Sequence, residues 1–125
     1  MKERCIVRKK TVESIRSAVI NCTPHPIKVR RSSDGAEITF TPSGILPRIF
    51  TKEHEAENIN NFACITQTQG KVSDLPEEQE GTFFIVSMMV FAASKREDLI
   101  APDTGKGAIR DEQGRILAVT RFIRR

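Results

Sequence analysis

The residues best suited to chemistry fall in two widely separated stretches. Asn21-Cys22-Thr23-Pro24-His25-Pro26 lies near the start, and Pro102-Asp103-Thr104-Gly105-Lys106-Gly107 leads into Ile109-Arg110-Asp111-Glu112-Gln113-Gly114-Arg115 near the end. In the first, two prolines bracket His25, fixing the backbone and limiting where the ring can point. His25 is placed to donate to a phosphate or a ligand base. The simpler reading is a turn entering a strand, with His25 capping backbone groups. In and after the second, arginine's planar fork suits phosphate recognition, which singles out Arg110, Arg115 and Arg121 and, from a separate probable strand start, Arg48. For each, surface salt bridging is the competing reading, with Asp111 or Glu112 the expected partners of Arg110. Gly105-Lys106-Gly107 hints at a phosphate loop, but the GxxxxGK[ST] pattern is missing and no helix follows. Backbone N–H groups near Asp103 and Thr104 can still face an anion.

Catalytic chemistry finds little support. No serine or cysteine stands beside a base in a recognisable nucleophile motif. Two histidines, His25 and His54, without ligand spacing give no metal site, and no cofactor motif is present. Three cysteines (Cys5, Cys22, Cys64) lack CxxC spacing, so reduced thiols in a cytosolic protein are expected rather than disulfides or zinc.

The elements that must position these residues are read from pattern. A chain of 125 residues, 38% hydrophobic and 29% charged, supports one hydrophobic core. No apolar run is long enough to span a bilayer, and the first residues lack the apolar region of a secretory signal. The net charge of +4 is confined to residues 1–16, where six basic side chains face two acidic ones; the remainder is formally neutral. A duplex binder builds its basic face into the fold, so polynucleotide binding is disfavoured. Residues 1–17 read as a basic extension with weak helical spacing, and 18–125 as one β-rich domain.

Within that domain Ile27 and Val29 alternate with charged neighbours. Asp34-Gly35 offers turn chemistry before a second alternating run, Glu37 to Thr41, which predicts a hairpin. Pro42-Ser43-Gly44 marks a further turn. Residues 51–61 read as a polar loop or exposed helical turn, and Phe62 to Thr68 as a strand broken at Gly70. Asp74 to Gly81 reads as a solvated acidic loop. Thr82 to Val86 is the strongest buried-strand signal in the chain. Met88 to Lys95 favours a helix, with Ser87 as its cap. A closing hairpin runs from Ile109 to Asp111 and from Arg115 to Ile123. The fold class expected is α+β, an antiparallel β-rich single domain with one or two short helices. Phe83, Phe84 and Phe91 read as core, with one of them free to stack on a base if a pocket opens at a subunit seam.

Five pieces in order carry a resemblance. They are Asn21 to Ile27; Pro42-Ser43-Gly44 with Arg48-Ile49; Asp74-Leu75-Pro76-Glu77; Gly81 to Ser87; and Pro102 to Gly105 with Arg110 to Ile116. Together they resemble the first class of Thoeris anti-defence proteins, phage-encoded sponges that sequester cyclic ADP-ribose signals made by TIR-domain enzymes. The resemblance covers residues 18–123. Cys22, where a leucine-like residue is expected, and the basic extension depart from it. It implies a non-enzymatic binder of a cyclic ADP-ribose isomer or related cyclic nucleotide. It also implies a homodimer or higher assembly, acting in the cytoplasm of an infected bacterium. The site it implies has Arg110 as main phosphate contact, Thr104 and the backbone around Asp103 assisting, and one of Phe83, Phe84 or Phe91 facing the base. Arg48, Arg121 and His25 complete the candidate set. Two other readings stand beside it: a small phage or prophage structural or interaction protein, and a single-strand or RNA binder using the basic extension.

Overall fold

The computed structural model describes residues 17–125; the basic extension and its helical spacing lie outside the described residues. Among the described residues ten strands and one short helix follow in the order β1 (Ala18–Asn21), β2 (Ile27–Arg30), β3 (Glu37–Phe40), β4 (Arg48–Ile59), β5 (Phe62–Ser73), β6 (Thr82–Ile85), α1 (Met88–Ala93), β7 (Leu99–Pro102), β8 (Ala108–Arg110), β9 (Ile116–Val119) and β10 (Phe122–Ile123). They form a sheet ordered β1-β6-β7-β10, a second ordered β3-β2-β9-β8, and a two-stranded arm β4-β5.

The first sheet holds the core. Its β6 is β-branched and aromatic throughout, and such side chains fit a pleat covered on both faces. Side chains alternate along a strand, so Phe84 and Val86 point to one face with their neighbours Ile20, Cys22, Leu99 and Ala101. There they meet Val90 and Phe91 of α1, flanked by Ile49, Val72 and Leu75. Ile85 and Ile100, paired across β6 and β7, are buried on the opposite face. The helix forms after β6 because Ser87, in extended conformation, accepts a hydrogen bond from the Val90 N–H at 3.2 Å and so caps an otherwise orphaned donor. It ends at Ala93, two residues short of the run that favoured it.

The chain is strand-rich, as the sequence implied, but its pairing is mixed. Antiparallel pairs join β2 to β3, β8 to β9, β4 to β5 and β7 to β10. The central ladder β1-β6-β7 is parallel, and so is the contact of β2 with β9. The expectation of an antiparallel β-rich domain holds for the four antiparallel pairs and is corrected in these parallel ones. The β2-β3 hairpin matches the expectation, with Gly35 at φ 75° supplying the left-handed turn residue. The C-terminal arm divides in two. Its β9 stays in the second sheet and its β10 crosses to the first, with the backbone and side chain of Thr120 both bonded to the Gly107 carbonyl at the bend.

Residues 51–61 are the larger correction. They form most of β4, not a loop, and run antiparallel to β5 from Arg48↔Ser73 to Ile59↔Phe62. Both faces of this arm are wet, so no apolar alternation marks it as strand. Its tip turns at Asn60 and Asn61, both left-handed (φ 49° and 67°), a conformation asparagine tolerates. Gly70 does not break β5 but lies within it. A Cβ there would stand 2.7 Å from the Phe50 carbonyl oxygen, so the close crossing beside the Ile49/Thr51 irregularity requires glycine.

Candidate functional site: the carboxyl rim of the parallel ladder

Because β1, β6 and β7 run the same way, the segments leaving them emerge on one side of the sheet. They are the Asn21–His25 turn, Ser87 with α1, and the Pro102–Gly107 loop. The two stretches that stand out in the sequence therefore meet at one rim.

Asn21 shapes the first turn. It is only 2% exposed, and its amide donates to the carbonyls of His25 and Phe40, both at 2.8 Å. Its side-chain oxygen accepts from the Thr23 N–H at 2.9 Å and the Thr23 hydroxyl at 2.7 Å. All the hydrogen-bonding groups of a buried amide are thus engaged, which holds the Pro24-His25-Pro26 peak in one conformation. The backbone carbonyl of His25 is the acceptor here, and its ring is left at the surface.

That peak separates two hollows. On the Pro24 side a hollow of about 310 Å³ is lined by Cys22, Thr23, Pro47, Arg48 and Ser87 among others. On the Pro26 side one of about 280 Å³ is lined by Pro102, Thr104, Ile116, Leu117 and Lys28 among others. The second has an apolar wall, with Ile116 and Leu117 half exposed on the strand that closes it. Burial pushes the Cys22 thiol up from its ordinary value, with the Ser43 hydroxyl opposing the shift. A thiol held protonated is a poor nucleophile.

The loop after β7 is braced by one ion pair and by backbone bonds. Asp103 accepts from the Arg121 Nε at 2.6 Å and from the Gly105 N–H at 2.9 Å. The Arg121 guanidinium, then the Gly105 N–H, hold the Asp103 carboxyl below its usual value. Arg121 is therefore a neutralised brace. Gly107 is buried beneath it: a Cβ there would lie 2.9 Å from the Arg121 Cγ and 3.0 Å from the Asp103 Oδ2.

Arg110 is arranged differently. Its guanidinium donates to the Gly114 carbonyl at 2.6 Å and to the Thr104 carbonyl at 3.0 Å. Asp111 is taken instead by Arg115 at 3.1 Å, so the expected Arg110–Asp111 or Arg110–Glu112 pair does not form. Carbonyl dipoles orient the fork without cancelling its charge. Among the described residues neither Arg110 nor Arg48 has a carboxylate within ion-pair distance.

Of the other candidates, Phe84 (1% exposed) and Phe91 (8%) are packed in the core and present no face to a base. Their size and β-branched neighbours serve packing against α1. Phe83 lies at the opposite end of β6, half buried under the Arg124 guanidinium, whose carbon is 5.0 Å from the ring centroid. It borders a separate cleft of about 710 Å³ with Lys95, Arg96 and Glu97. The structure thus brings Arg110, Thr104, Asp103 and Arg121 together, sets His25 and Arg48 on the same rim, and leaves the three phenylalanines elsewhere.

Sequence reading singled out the stretch that holds Asn21 but gave Asn21 itself no role, and it missed Arg96. Arg96 binds both oxygens of Asp98 and the Pro76 carbonyl, tying the acidic loop to the start of β7, and hydrogen bonding to Asp98 raises its pKa. The Arg-x-Asp spacing of this pair was its only signal. Among the described residues there is no cluster of three or more His, Cys, Asp or Glu able to hold a metal, and no helix is long and apolar enough to cross a membrane. No family model, curated protein or solved structure matches this chain.

Proposed function

We propose that the protein is a non-catalytic sponge that binds and sequesters a cyclic ADP-ribose-type signal, or a related cyclic nucleotide. In an infected bacterial host this would keep the signal from the Thoeris effector. One observation carries the reading. The rigid Pro24-His25-Pro26 peak stands between two hollows, each flanked by an arginine that no described carboxylate neutralises, Arg48 on one side and Arg110 through Thr104 on the other. A diphosphate needs oriented cations and backbone donors, and a purine needs a flat apolar wall. In this reading Arg110 and the Thr104 backbone N–H take phosphate, since the neighbouring Asp103 and Gly105 N–H groups are bonded within the loop, and the Pro102, Ile116 and Leu117 surface takes the base. Sequestration requires no general base, and the Cys22 thiol at the rim is held in its protonated form.

Thermal melting with cyclic ADP-ribose isomers tests the proposal, because a ligand that binds the native state raises the melting temperature. A concentration-dependent rise with one isomer supports it. No shift with any isomer or cyclic dinucleotide or trinucleotide overturns it. The second reading, a small interaction protein without a nucleotide ligand, is favoured by the long, solvent-exposed β4-β5 arm, which no site at the rim uses.

A further inference from the structure

The β4-β5 arm stands apart from both sheets. Among the described residues its strands bond only to one another, and only Ile49 and Val72 at its base pack on the core. Strands of twelve residues extend roughly 40 Å at ~3.3 Å per residue. An isolated two-stranded hairpin is marginal in water. Yet this one displays Phe50 (64% exposed), Ile59 (65%), Phe62 (72%) and Ile65 (52%).

Its two edges differ. The β4 edge carries Lys52, Glu53, Glu55 and Glu57, the kind of charge that blocks strand addition. Pairing β4 with a second β4 would also set glutamates against glutamates, which is destabilising. From Phe62 to Gly70, by contrast, β5 has no charged residue and no proline, and so none of the usual protection of a free edge.

We propose that β5 is a self-association edge: two copies of this chain pair β5 with β5, antiparallel about a twofold axis, into a four-stranded sheet ordered β4-β5-β5-β4. Centred on Thr66, the pairing sets Phe62 of one copy opposite Gly70 of the other and Cys64 opposite Thr68. Gly70 has no side chain to obstruct the incoming ring, and the exposed Phe50 lies against it. The most exposed aromatic of each arm is then covered beside a second exposed aromatic, twice over by symmetry. The contact is isologous, and the outer edges of the new sheet are the charged β4 strands, so assembly through this edge stops at two copies. The pairing is independent of any ligand, so its failure would leave the rim's nucleotide reading standing, and the reverse.

Sedimentation velocity of the full chain at micromolar concentration tests it. The wild type and Thr51→Lys, which adds charge to β4, are expected as dimers. Thr66→Lys/Thr68→Lys, on exposed β5 positions, is expected as a monomer with an unchanged far-ultraviolet circular dichroism spectrum. In a Cys64→Ser background, Thr66→Cys is expected to give a disulfide-linked dimer on mild oxidation and Thr51→Cys is not, since residues at the twofold face each other closely enough to bridge. A monomeric wild type overturns the proposal. So does a dimer that survives both lysines, or crosslinking that does not distinguish Thr66 from Thr51.

Discussion

Replacing Asn21 by alanine should cost more than its size suggests. The side chain makes four hydrogen bonds from a nearly sealed position. The carbonyls of His25 and Phe40 lie in partly exposed residues, so water can replace the lost amide there. Thr23 is buried, and its N–H loses its side-chain acceptor without easy access to water. An orphaned buried group costs about 1–3 kcal/mol, and the lost neutral bonds add about 1 kcal/mol more, so Asn21→Ala should lose roughly 2–4 kcal/mol. Asn21→Asp is nearly isosteric and sharper as a test. It turns the amide nitrogen, which donates to two carbonyls, into an oxygen that repels them. The new carboxyl would have a folded pKa above its unfolded one, so its destabilisation is largest at neutral pH and is relieved as pH falls and a proton restores one donor. Urea unfolding of both variants at neutral and mildly acidic pH measures this. If Asn21→Ala stays within about 1 kcal/mol of wild type, ordinary for a surface change, or Asn21→Asp loses stability on acidification relative to wild type, the account of the turn is wrong.

Ile85→Asp, which strands a charge at a fully buried position, should abolish cooperative folding, as seen by thermal denaturation. Gly107→Ala should displace Arg121 from Asp103 and loosen the loop after β7, read as faster amide exchange at Gly105 and Thr120. The Asp103 carboxyl is lowered from its ordinary value of 3.8 by Arg121. Its stabilisation is therefore complete above that value and lost as pH falls through the lower folded value; Asp103→Asn should flatten that acid limb of the stability–pH curve. Ser87→Ala removes the cap of α1 and should cost about 1 kcal/mol in chemical denaturation, with Ser87→Gly milder.

What was legible in the sequence is what local chemistry decides alone. Asp34-Gly35 marks the β2-β3 turn, the uninterrupted Thr82–Val86 run marks the buried strand, and Ser87 ahead of an apolar stretch marks a capped helix. The arm was not legible, because a strand with two wet faces has no apolar alternation, and Gly70 reads as a breaker until the backbone it must pass is known. Parallel pairing of β1, β6 and β7 depends on partners more than 60 residues apart for β1 and β6, which no local pattern encodes. At the rim, residue types at Arg110 and Thr104 were legible, but not that Arg110 would choose carbonyls over the adjacent Asp111. That choice follows from how the β8-β9 hairpin folds back on the Pro102–Gly107 loop. The phenylalanines fit their core reading at Phe84 and Phe91.

The central claim is that the rim holds a nucleotide through unneutralised arginines. Calorimetric titration of cyclic ADP-ribose isomers into wild type and Arg110→Ala tests it most directly. A charged hydrogen bond is worth roughly 1.5–3 kcal/mol, so the variant should bind about ten- to a hundredfold more weakly. Its folded circular dichroism spectrum should be unchanged, since the two carbonyls Arg110 releases are open to water. Equal affinity in the two proteins, or no heat of binding to wild type with any isomer, would contradict the account.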